Sequence, residues 1–301
     1  MHGWIIIDKP LGLGSTQAVS AVKRAFRQAG AGKVKVGHGG TLDPLATGVL
    51  PIALGEATKL AGRMLDSDKI YDFTIGFGEQ TSTLDAEGEV IATSTVRPTL
   101  AAVEAVLADF TGPIEQAPPA YSAIKVDGRR AYDLARAGEE VEMKLRSVTI
   151  HALTPQSPST GGTDGEGLGE ITLTAHVSKG TYIRSLARDI ALVLGTVGSV
   201  TMLRRVKAGP FTLENAISLD NLADAANERA IEQHMLPLTA GLDDIPALPV
   251  TAEEALMLRQ GKVLSADPRR QGIMLATEGD VPVALVEALG PEIRVVRGFN
   301  L

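Results

Sequence analysis

Polar and apolar side chains repeat along the first two thirds of the chain with two periods, that of strands and that of helices. Residues 69–77 alternate polar with apolar side chains, which predicts a strand with Tyr71 on its apolar side. Residues 17–28 repeat apolar side chains every three or four positions, which predicts a helix with a basic outer side. The same criteria predict further strands over 3–8, 49–54, 145–153, 170–177 and 199–205, and further helices over 57–65, 98–110, 129–137, 181–194 and 219–234.

The last quarter of the chain has a different pattern. Prolines mark residues 236–249 as a linker, and a short helix is predicted over 253–260. Three strand-like runs follow, at 272–276, 282–287 and 293–298. Strands and helices alternate irregularly, which indicates an α+β fold with a mixed, mainly antiparallel sheet flanked by helices. We therefore predict a first domain over 1–238 and a small β module over 239–301.

Composition sets the class of protein. The 301 residues are 44% hydrophobic and 22% charged, which suits about two folded domains with a sizeable core. The absence of cysteine excludes disulfides, thiol nucleophiles and cysteine metal sites. No apolar run approaches the ~20 residues of a membrane span, and the first residues lack the features of a signal peptide. The sequence thus predicts a cytoplasmic protein with no membrane partner.

The charge is unevenly distributed. Of the net charge of −7, all lies in residues 214–301, which hold 14 acidic and 7 basic residues. Residues 1–40 hold six lysines and arginines against one aspartate, and residues 179–209 hold the same numbers. Two basic segments on an acidic chain indicate a site for a polyanion, although ordinary solvated surfaces explain the counts equally well.

A glycine-rich loop at 37–51 presents a carboxylate. Three glycines surround His38, and Asp43 precedes Pro44, which holds Asp43 in an extended conformation. A short acidic side chain on a stiff loop suits a positioned catalytic carboxylate. A turn in which Asp43 merely bonds nearby backbone is the alternative.

Other chemistries have no sequence support. The chain lacks a P-loop, a dinucleotide-binding glycine motif and a Gly-x-Ser-x-Gly elbow, and its five histidines show no metal-ligand spacing. No cofactor and no catalytic metal are predicted. An arginine would keep a buried Asp43 ionised, and Arg184 is the candidate, with a phosphate contact as its alternative. Core packing is the favoured explanation of Tyr71, whereas His38 on its loop could stack on an unpaired base.

Six segments, in order, resemble those of the bacterial TruB family of tRNA pseudouridine-55 synthases. They are 3–10 with Gly12 and Ser15, 37–51, 66–71, 118–125 with 128–132, 179–186, and 203–205 with Gly209 and Phe211. The chain departs from the family pattern at Gly14, in a longer glycine-rich loop at 155–169, and in its acidic C-terminal 60 residues, which resemble a reduced PUA-type module.

The resemblance implies a pseudouridine-synthase-like fold with a PUA-like module and an RNA-facing insertion at about 112–146. It implies isomerisation of uridine 55 in the T arm of tRNA after base flipping, by a monomer that needs no cofactor and no protein partner. Asp43 would be the nucleophile or base, and the resemblance leaves open attack at C1′, addition to C6 and glycal formation. Arg184 would keep Asp43 ionised, and Tyr71 would stack on the uracil. The remaining expected RNA contacts are His38 in the vacated space, Gly39 at the RNA backbone, Tyr182 beneath the site, and Lys9, Arg129, Arg130, Lys179, Arg204 and Arg205 at phosphates.

Two alternatives retain the fold without the reaction. A catalytically silent RNA-binding or RNA-folding module is disfavoured by the presence of Asp43, Tyr71 and Arg184. A scaffold within a guide-RNA complex is disfavoured by the short chain, which has no basic tail.

Overall fold

The computed structural model describes residues 1–122, 124–126, 128–139, 143–156, 167–267 and 269–301, without the side chains of residues 125, 126, 130 and 136. The strands are β1 Gly3–Lys9, β2 Val36–His38, β3 Ala46–Leu54, β4 Lys69–Phe77, β5 Glu79–Thr81, β6 Val90–Thr93, β7 Gly112–Gln116, β8 Lys125–Val126, β9 Arg129–Arg130, β10 Arg146–Pro155, β11 Glu170–Val177, β12 Gly198–Ala208, β13 Phe211–Thr212, β14 Ala216–Ile217, β15 Leu236–Pro237, β16 Ala247–Pro249, β17 Leu264–Ser265, β18 Gly272–Glu278, β19 Val281–Leu289 and β20 Glu292–Gly298. The helices are α1 Ser15–Gln28, α2 Ala61–Asp66, α3 Leu100–Leu107, α4 Ala131–Arg136, α5 Ile183–Val193, α6 Leu219–Asn227 and α7 Ala252–Arg259.

One large mixed sheet organises the first 237 residues. Its strands follow the order β14-β1-β3-β12-β4-β11-β10-β7, with β2, β13 and β15 paired off this path. The pairs β1–β14 and β3–β12 are parallel and the other pairs of this sheet are antiparallel. The predicted α+β class with a mixed, mainly antiparallel sheet flanked by helices is confirmed.

Helices cover two separate parts of the sheet. α1 and α6 pack against β1 and β3, where Val22 and Phe26 of α1 are buried as the periodicity predicts. α3 and α5 pack against β4, β10 and β11 around Phe73 and Leu173. β12 and β4 pair between these two packed regions, and Tyr71 and Leu203 contact both. The two halves therefore meet along a central strand pair.

Two predicted helices differ in detail. The helix predicted over 219–234 ends at Asn227, and Arg229 has a φ of 58°, a left-handed conformation that a helix cannot contain. A short 3₁₀-helix then follows, Ile231–His234. In α5 the apolar repeat of Ile183, Leu186, Ile190 and Val193 predicts one buried side, but Val193 is 59% exposed and Arg184, on another side, is buried. Periodicity alone cannot show that α5 is covered on two sides at its N-terminal end.

The segment predicted as a linker is packed against the sheet. β15 pairs with β1, and Trp4 Nε1 donates to the Leu238 carbonyl at 3.1 Å. Trp4 shares one apolar cluster with Leu238 and with Phe299 of the C-terminal module. The module itself is the sheet β16-β18-β19-β20-β17 with α7 against it. The C-terminal β module is confirmed, and the segment predicted as a linker before it contacts the first strand through Leu236, Pro237 and Leu238.

Within the residues that the structure describes, no helix is long and apolar enough to cross a membrane. The glycine-rich loop predicted at 155–169 lies mostly outside the described residues. The insertion predicted at about 112–146 runs from β7 to the start of β10 and contains α4.

Candidate active site

A cleft of about 1030 Å³ lies where the two halves of the sheet meet. The wall of this cleft includes Asp43, Tyr71, His38, Tyr182 and Arg184, all of which the sequence singled out. Tyr121 and Tyr132 of the segment between β7 and β10 line it as well. The structure thus gathers these residues from four separate segments of the chain around one cavity.

Hydrogen bonds from neighbouring segments hold the loop that carries Asp43. The Ser15 hydroxyl donates to the Leu42 carbonyl at 2.9 Å and accepts from the Leu42 amide at 2.8 Å. The Gly12 amide donates to the Pro44 carbonyl at 2.8 Å. These bonds fix both neighbours of Asp43, so the carboxylate stands on a rigid support.

Lys9 belongs to this support and is not available to RNA. Its side chain is fully buried, and Nζ donates to the carbonyls of Pro10, Leu13 and Pro44 at 2.9, 2.5 and 3.2 Å. Burial lowers the pKa of Lys9 to about 8, an effect that the nearby Asp43 carboxylate opposes. The expected phosphate contact is therefore wrong, because all three donors of the ammonium group face carbonyls of the protein.

Arg205 is likewise buried, under the glycine loop. It is 1% exposed and donates to the carbonyls of Val49, Thr41 and Gly40 at 2.7, 3.3 and 3.1 Å. Its predicted phosphate contact is wrong for the same reason as that of Lys9. Buried guanidinium and ammonium groups both hold the backbone around Asp43 in place.

The role predicted for Gly39 is also wrong. Gly39 is buried, and a Cβ at this position would lie 2.7 Å from Met64 Cβ. Its small size allows the loop to pack on α2 and does not open the loop to an RNA backbone. His38 remains on the cleft wall, where burial and the nearby Arg205 lower its pKa, so the imidazole is neutral near pH 7.

Arg184 connects Asp43 to a second carboxylate. Its Nη2 lies 3.0 Å from Asp43 Oδ2, and its Nη1 lies 3.3 Å from Asp85 Oδ2. The same two nitrogens donate to the carbonyls of Tyr121 and Thr83 at 3.0 and 2.8 Å. The Arg184 side chain is 8% exposed whereas that of Asp43 is 45% exposed, so the arginine is fixed and the carboxylate faces the cleft. The predicted contact between Asp43 and Arg184 is present.

Asp85 was not singled out from the sequence. It follows a turn in which Leu84 has a φ of 64°, and its side chain is 10% exposed. Asp85 Oδ1 accepts from the Thr83 hydroxyl at 2.5 Å and from the Glu87 amide at 3.0 Å. The sequence around Asp85 is that of an ordinary turn, so only the fold shows that this carboxylate faces the buried Arg184.

The aromatic residues of the cleft are held by their strands and caps. Tyr71 is partly buried between the two apolar clusters, with its flanking β4 residues paired to β11 and β12. Tyr182 precedes α5, where its amide donates to Gln116 Oε1 at 2.8 Å and its carbonyl accepts from Gln116 Nε2 at 3.1 Å. Burial raises the pKa of Tyr182, which stays a neutral phenol. Both rings therefore present rigid surfaces to the cavity.

The other predicted phosphate contacts lie at the surface. Arg204 pairs with Asp8 through two bonds of 3.0 and 2.8 Å, and Lys179 Nζ lies 3.0 Å from Asp66 Oδ1. Arg129 Nη1 lies 3.0 Å from Glu139 Oε1, with both side chains at least half exposed. The exposed ion pairs of Lys179 and Arg129 are weak, so a phosphate can replace their carboxylates. The Arg130 side chain lies outside the described residues.

Comparison with known families identifies the chain. Residues 23–183 match the model of the TruB family pseudouridylate synthase N-terminal domain, and residues 184–243 match the tRNA pseudouridylate synthase B C-terminal domain. The chain belongs to the TruB family of pseudouridylate synthases. It is therefore an isomerase of the pseudouridylate synthase class, as the resemblance implied.

Relatives match over their full length. A protein of Novosphingobium aromaticivorans named tRNA pseudouridine synthase B is 64% identical over 302 residues, covering 100% of this chain and 98% of the relative. A protein of Zymomonas mobilis with the same name is 58% identical, covering 100% of this chain and 96% of the relative.

Solved structures show the same fold. A chain in an H/ACA RNP bound to a substrate RNA containing 2'-deoxyuridine has a TM-score of 0.73 and 24% identity, covering 99% of this chain and 85% of that chain. A chain in a Cbf5-Nop10-Gar1 complex has a TM-score of 0.72 and 25% identity, with the same coverage. The pseudouridine-synthase-like fold is confirmed.

Asp85→Asn is expected to lower the activity of this TruB-family site without abolishing it. An amide nitrogen in place of Oδ2 would face Arg184 Nη1, so two donors would meet and the buried cation would lose one of its two counter-charges. We expect turnover to fall by about tenfold to a hundredfold, from the roughly 1.5–3 kcal/mol of a hydrogen bond to a charged group. Single-turnover rates measure the loss of activity, and thermal unfolding measures any loss of stability. A wild-type rate in the variant would show that Asp85 plays no part in the reaction.

Proposed function

We propose that this protein converts uridine 55 in the T arm of tRNA to pseudouridine, with Asp43 as the nucleophile or base. The observation that carries the proposal is the ion pair at 3.0 Å between Asp43 and the buried Arg184, in the wall of a cleft lined by Tyr71. Arg184 pairs with the carboxylate and holds it in one orientation. The names of the full-length relatives support tRNA as the substrate.

The reaction needs only groups that the cleft provides. The bond from N1 of uracil to C1′ breaks, a bond from C5 to C1′ forms, N1 gains a proton and C5 loses one. No electron is gained or lost, so no redox partner enters the balance. Asp43 can attack C1′, add to C6 or remove the C2′ proton, and all three routes place its carboxylate beside the same nucleotide.

Base flipping explains the size and the aromatic character of the cleft. A uridine within a folded RNA arm must leave its stack before Asp43 can reach it, at a cost of a few kcal/mol. A cavity of about 1030 Å³ is wide enough for one nucleotide and its neighbours. We propose that Tyr71 stacks on the flipped uracil, that Tyr182 supports the site from below, and that the neutral His38 ring fills the vacated position.

The same proposal assigns the parts of the chain. Residues 1–238 form the catalytic domain, with the segment at about 112–146 facing the RNA, and residues 239–301 form the PUA-like module. The partner is the T stem-loop of tRNA, bound in the cytoplasm by a monomer without a protein partner.

Tritium release tests the function directly. Wild-type protein is incubated with a T stem-loop labelled at C5 of its uridines, alongside the same RNA with cytidine at position 55. We expect tritium to reach water in an amount equal to one uridine per RNA, and none from the cytidine-55 RNA beyond background. Equal release from both RNAs would reject position 55, and RNA binding without any release would favour the silent RNA-binding module.

RNA binding should weaken steeply with salt despite the net charge of −7. Lys9 and Arg205 are buried and do not contribute. In the basic segment 1–40, the exposed lysines and arginines are Lys23, Arg24 and Arg27 on α1, with Lys33 and Lys35 after it. About four phosphate contacts would lower the affinity by roughly a hundredfold between about 50 and 200 mM salt. A filter-binding titration measures the slope, and a flat response would contradict the assignment of the basic segments to RNA.

A further inference from the structure

Two histidines and an aspartate converge on the face of the sheet opposite α5. His176 lies in β11 between Ala175 and Val177, which are both buried in the core on the α5 side, so its own side chain faces the other way. His151 lies in β10 with its side chain 37% exposed, and Asp68 precedes the first residue of β4. None of the three lines the cleft around Asp43.

The three side chains aim their ligand atoms at one point. His151 Nε2 lies 3.1 Å and His176 Nε2 lies 3.7 Å from the same oxygen, Asp68 Oδ2. The two imidazole centroids are 4.7 Å apart with the ring planes tilted by 50°. One ligand atom from each residue lies within 4.8 Å of the others. Nitrogen and oxygen ligands about 2.0–2.1 Å from a zinc ion stand a little over 3 Å apart, so only small side-chain rotations separate this arrangement from a coordination site.

A β-bulge creates the arrangement. The pairing of β10 with β11 runs from Ile150↔Val177 to Ala152↔His176, so His151 is an extra residue without a partner. A bulge of this kind turns one additional side chain to the outer face of a strand. The histidines are 25 positions apart in the chain, which explains why their sequence spacing indicated no metal site.

We propose that Asp68, His151 and His176 form a binding site for a divalent transition-metal ion of the zinc type. Two imidazoles and one carboxylate favour zinc, copper or nickel over magnesium and calcium, which prefer oxygen ligands. Three protein ligands leave one position open to water.

The ion would join two parts of the fold. Asp68 lies three residues before Tyr71, and its carbonyl accepts from the Gly209 amide at 3.0 Å, close to the end of β12. A metal bond to both histidines would tie this junction to the β10–β11 pair. The site is thus expected to stabilise the native state, and it does not depend on the proposed function of the cleft.

Zinc binding to the whole protein tests the proposal. Isothermal titration with zinc chloride is carried out on the metal-free wild type and on the variants His151→Ala, His176→Ala and Asp68→Asn. His234→Ala is the matched control, since His234 is exposed and is not one of the three proposed ligands. We expect one ion per chain, binding at least about tenfold weaker in each of the three ligand variants, and wild-type affinity in the control. Affinity unchanged in the ligand variants, or reduced equally in His234→Ala, would show non-specific histidine binding and overturn the proposal.

A second measurement uses the folded state as its readout. The Tm of the wild type should rise with zinc concentration, because an ion that binds only the native state stabilises it. The Tm of His176→Ala should not rise, and its circular dichroism without zinc should match that of the wild type, since the imidazole is partly exposed. A wild-type Tm that does not respond to zinc would overturn the proposal, since Asp68 would then only accept hydrogen bonds from the imidazoles.

Discussion

Asp43→Asn is expected to lower the rate of pseudouridine formation by about a thousandfold or more, in line with the loss of a nucleophile or base in other enzymes. The amide has nearly the shape of the carboxylate, but it carries no charge and neither attacks carbon nor removes a proton at a useful rate. Asp43 Oδ2 lies 3.0 Å from Arg184 Nη2, and an asparagine oxygen can occupy the same position. The fold should therefore persist while the chemistry is lost.

The measurement is tritium release under single-turnover conditions, with enough protein to bind all of the C5-labelled RNA. Affinity for the RNA, measured separately, should change by no more than about threefold, because the loss of one negative charge near phosphates does not weaken binding. Asp244→Asn is the matched control, since Asp244 also pairs with an arginine, Arg63 at 2.9 Å, but lies outside the cleft. It should release tritium at the wild-type rate. Release by Asp43→Asn at a comparable rate would remove Asp43 from the mechanism.

Periodicity predicted most strands and helices because their apolar sides are buried. The strand over 69–77 and the helix over 17–28 lie within two residues of their predicted limits, and each buries the side that the pattern indicated. The differences from the prediction lie where tertiary contacts decide the structure. The predicted linker contacts β1, and the predicted helix over 219–234 stops before Arg229, neither of which has a local signal in the sequence.

The site could be predicted only in part. A loop with Asp43 between glycines and proline, and an arginine suited to pair with it, are visible in the sequence. Neither the sequence nor the family resemblance, however, distinguishes an exposed base from one that bonds carbonyls. The phosphate contacts that the resemblance implies for Lys9 and Arg205 are therefore wrong, because both side chains are buried. Asp85 was missed because its contact with Arg184 joins residues 99 positions apart through the packing of α5.

The buried charges around Asp43 form a support that is costly to alter. Lys9 and Arg205 each donate to three backbone carbonyls in or beside the loop. Among the described residues, neither forms an ion pair with a carboxylate. Removing such a donor leaves buried carbonyls unpaired, at about 1–3 kcal/mol for each group. The same residues therefore contribute to the rigidity of the site.

Arg184→Lys is expected to lower turnover by about a hundredfold or more while RNA affinity changes little. The guanidinium contacts two carboxylates and two carbonyls at once, whereas one ammonium group on a shorter span cannot reach all four. Losing two charge-assisted contacts corresponds to about 3 kcal/mol or more, which is over a hundredfold in rate. The carboxylate of Asp43 would then lose its fixed orientation.

The split between turnover and affinity distinguishes this role from a phosphate contact. Arg188→Lys, one turn further along α5, is the matched control, because Arg188 pairs with Asp189 and the Ala117 carbonyl and does not contact Asp43. Arg188→Lys should keep both the turnover rate and the RNA affinity near the wild-type values. For Arg184→Lys, a normal rate in saturating RNA together with weakened binding would make Arg184 an RNA ligand and separate it from Asp43. A lowered rate at full saturation, with binding preserved, would instead place the effect at the carboxylate, since Arg184 is 8% exposed and has little surface to offer to a phosphate.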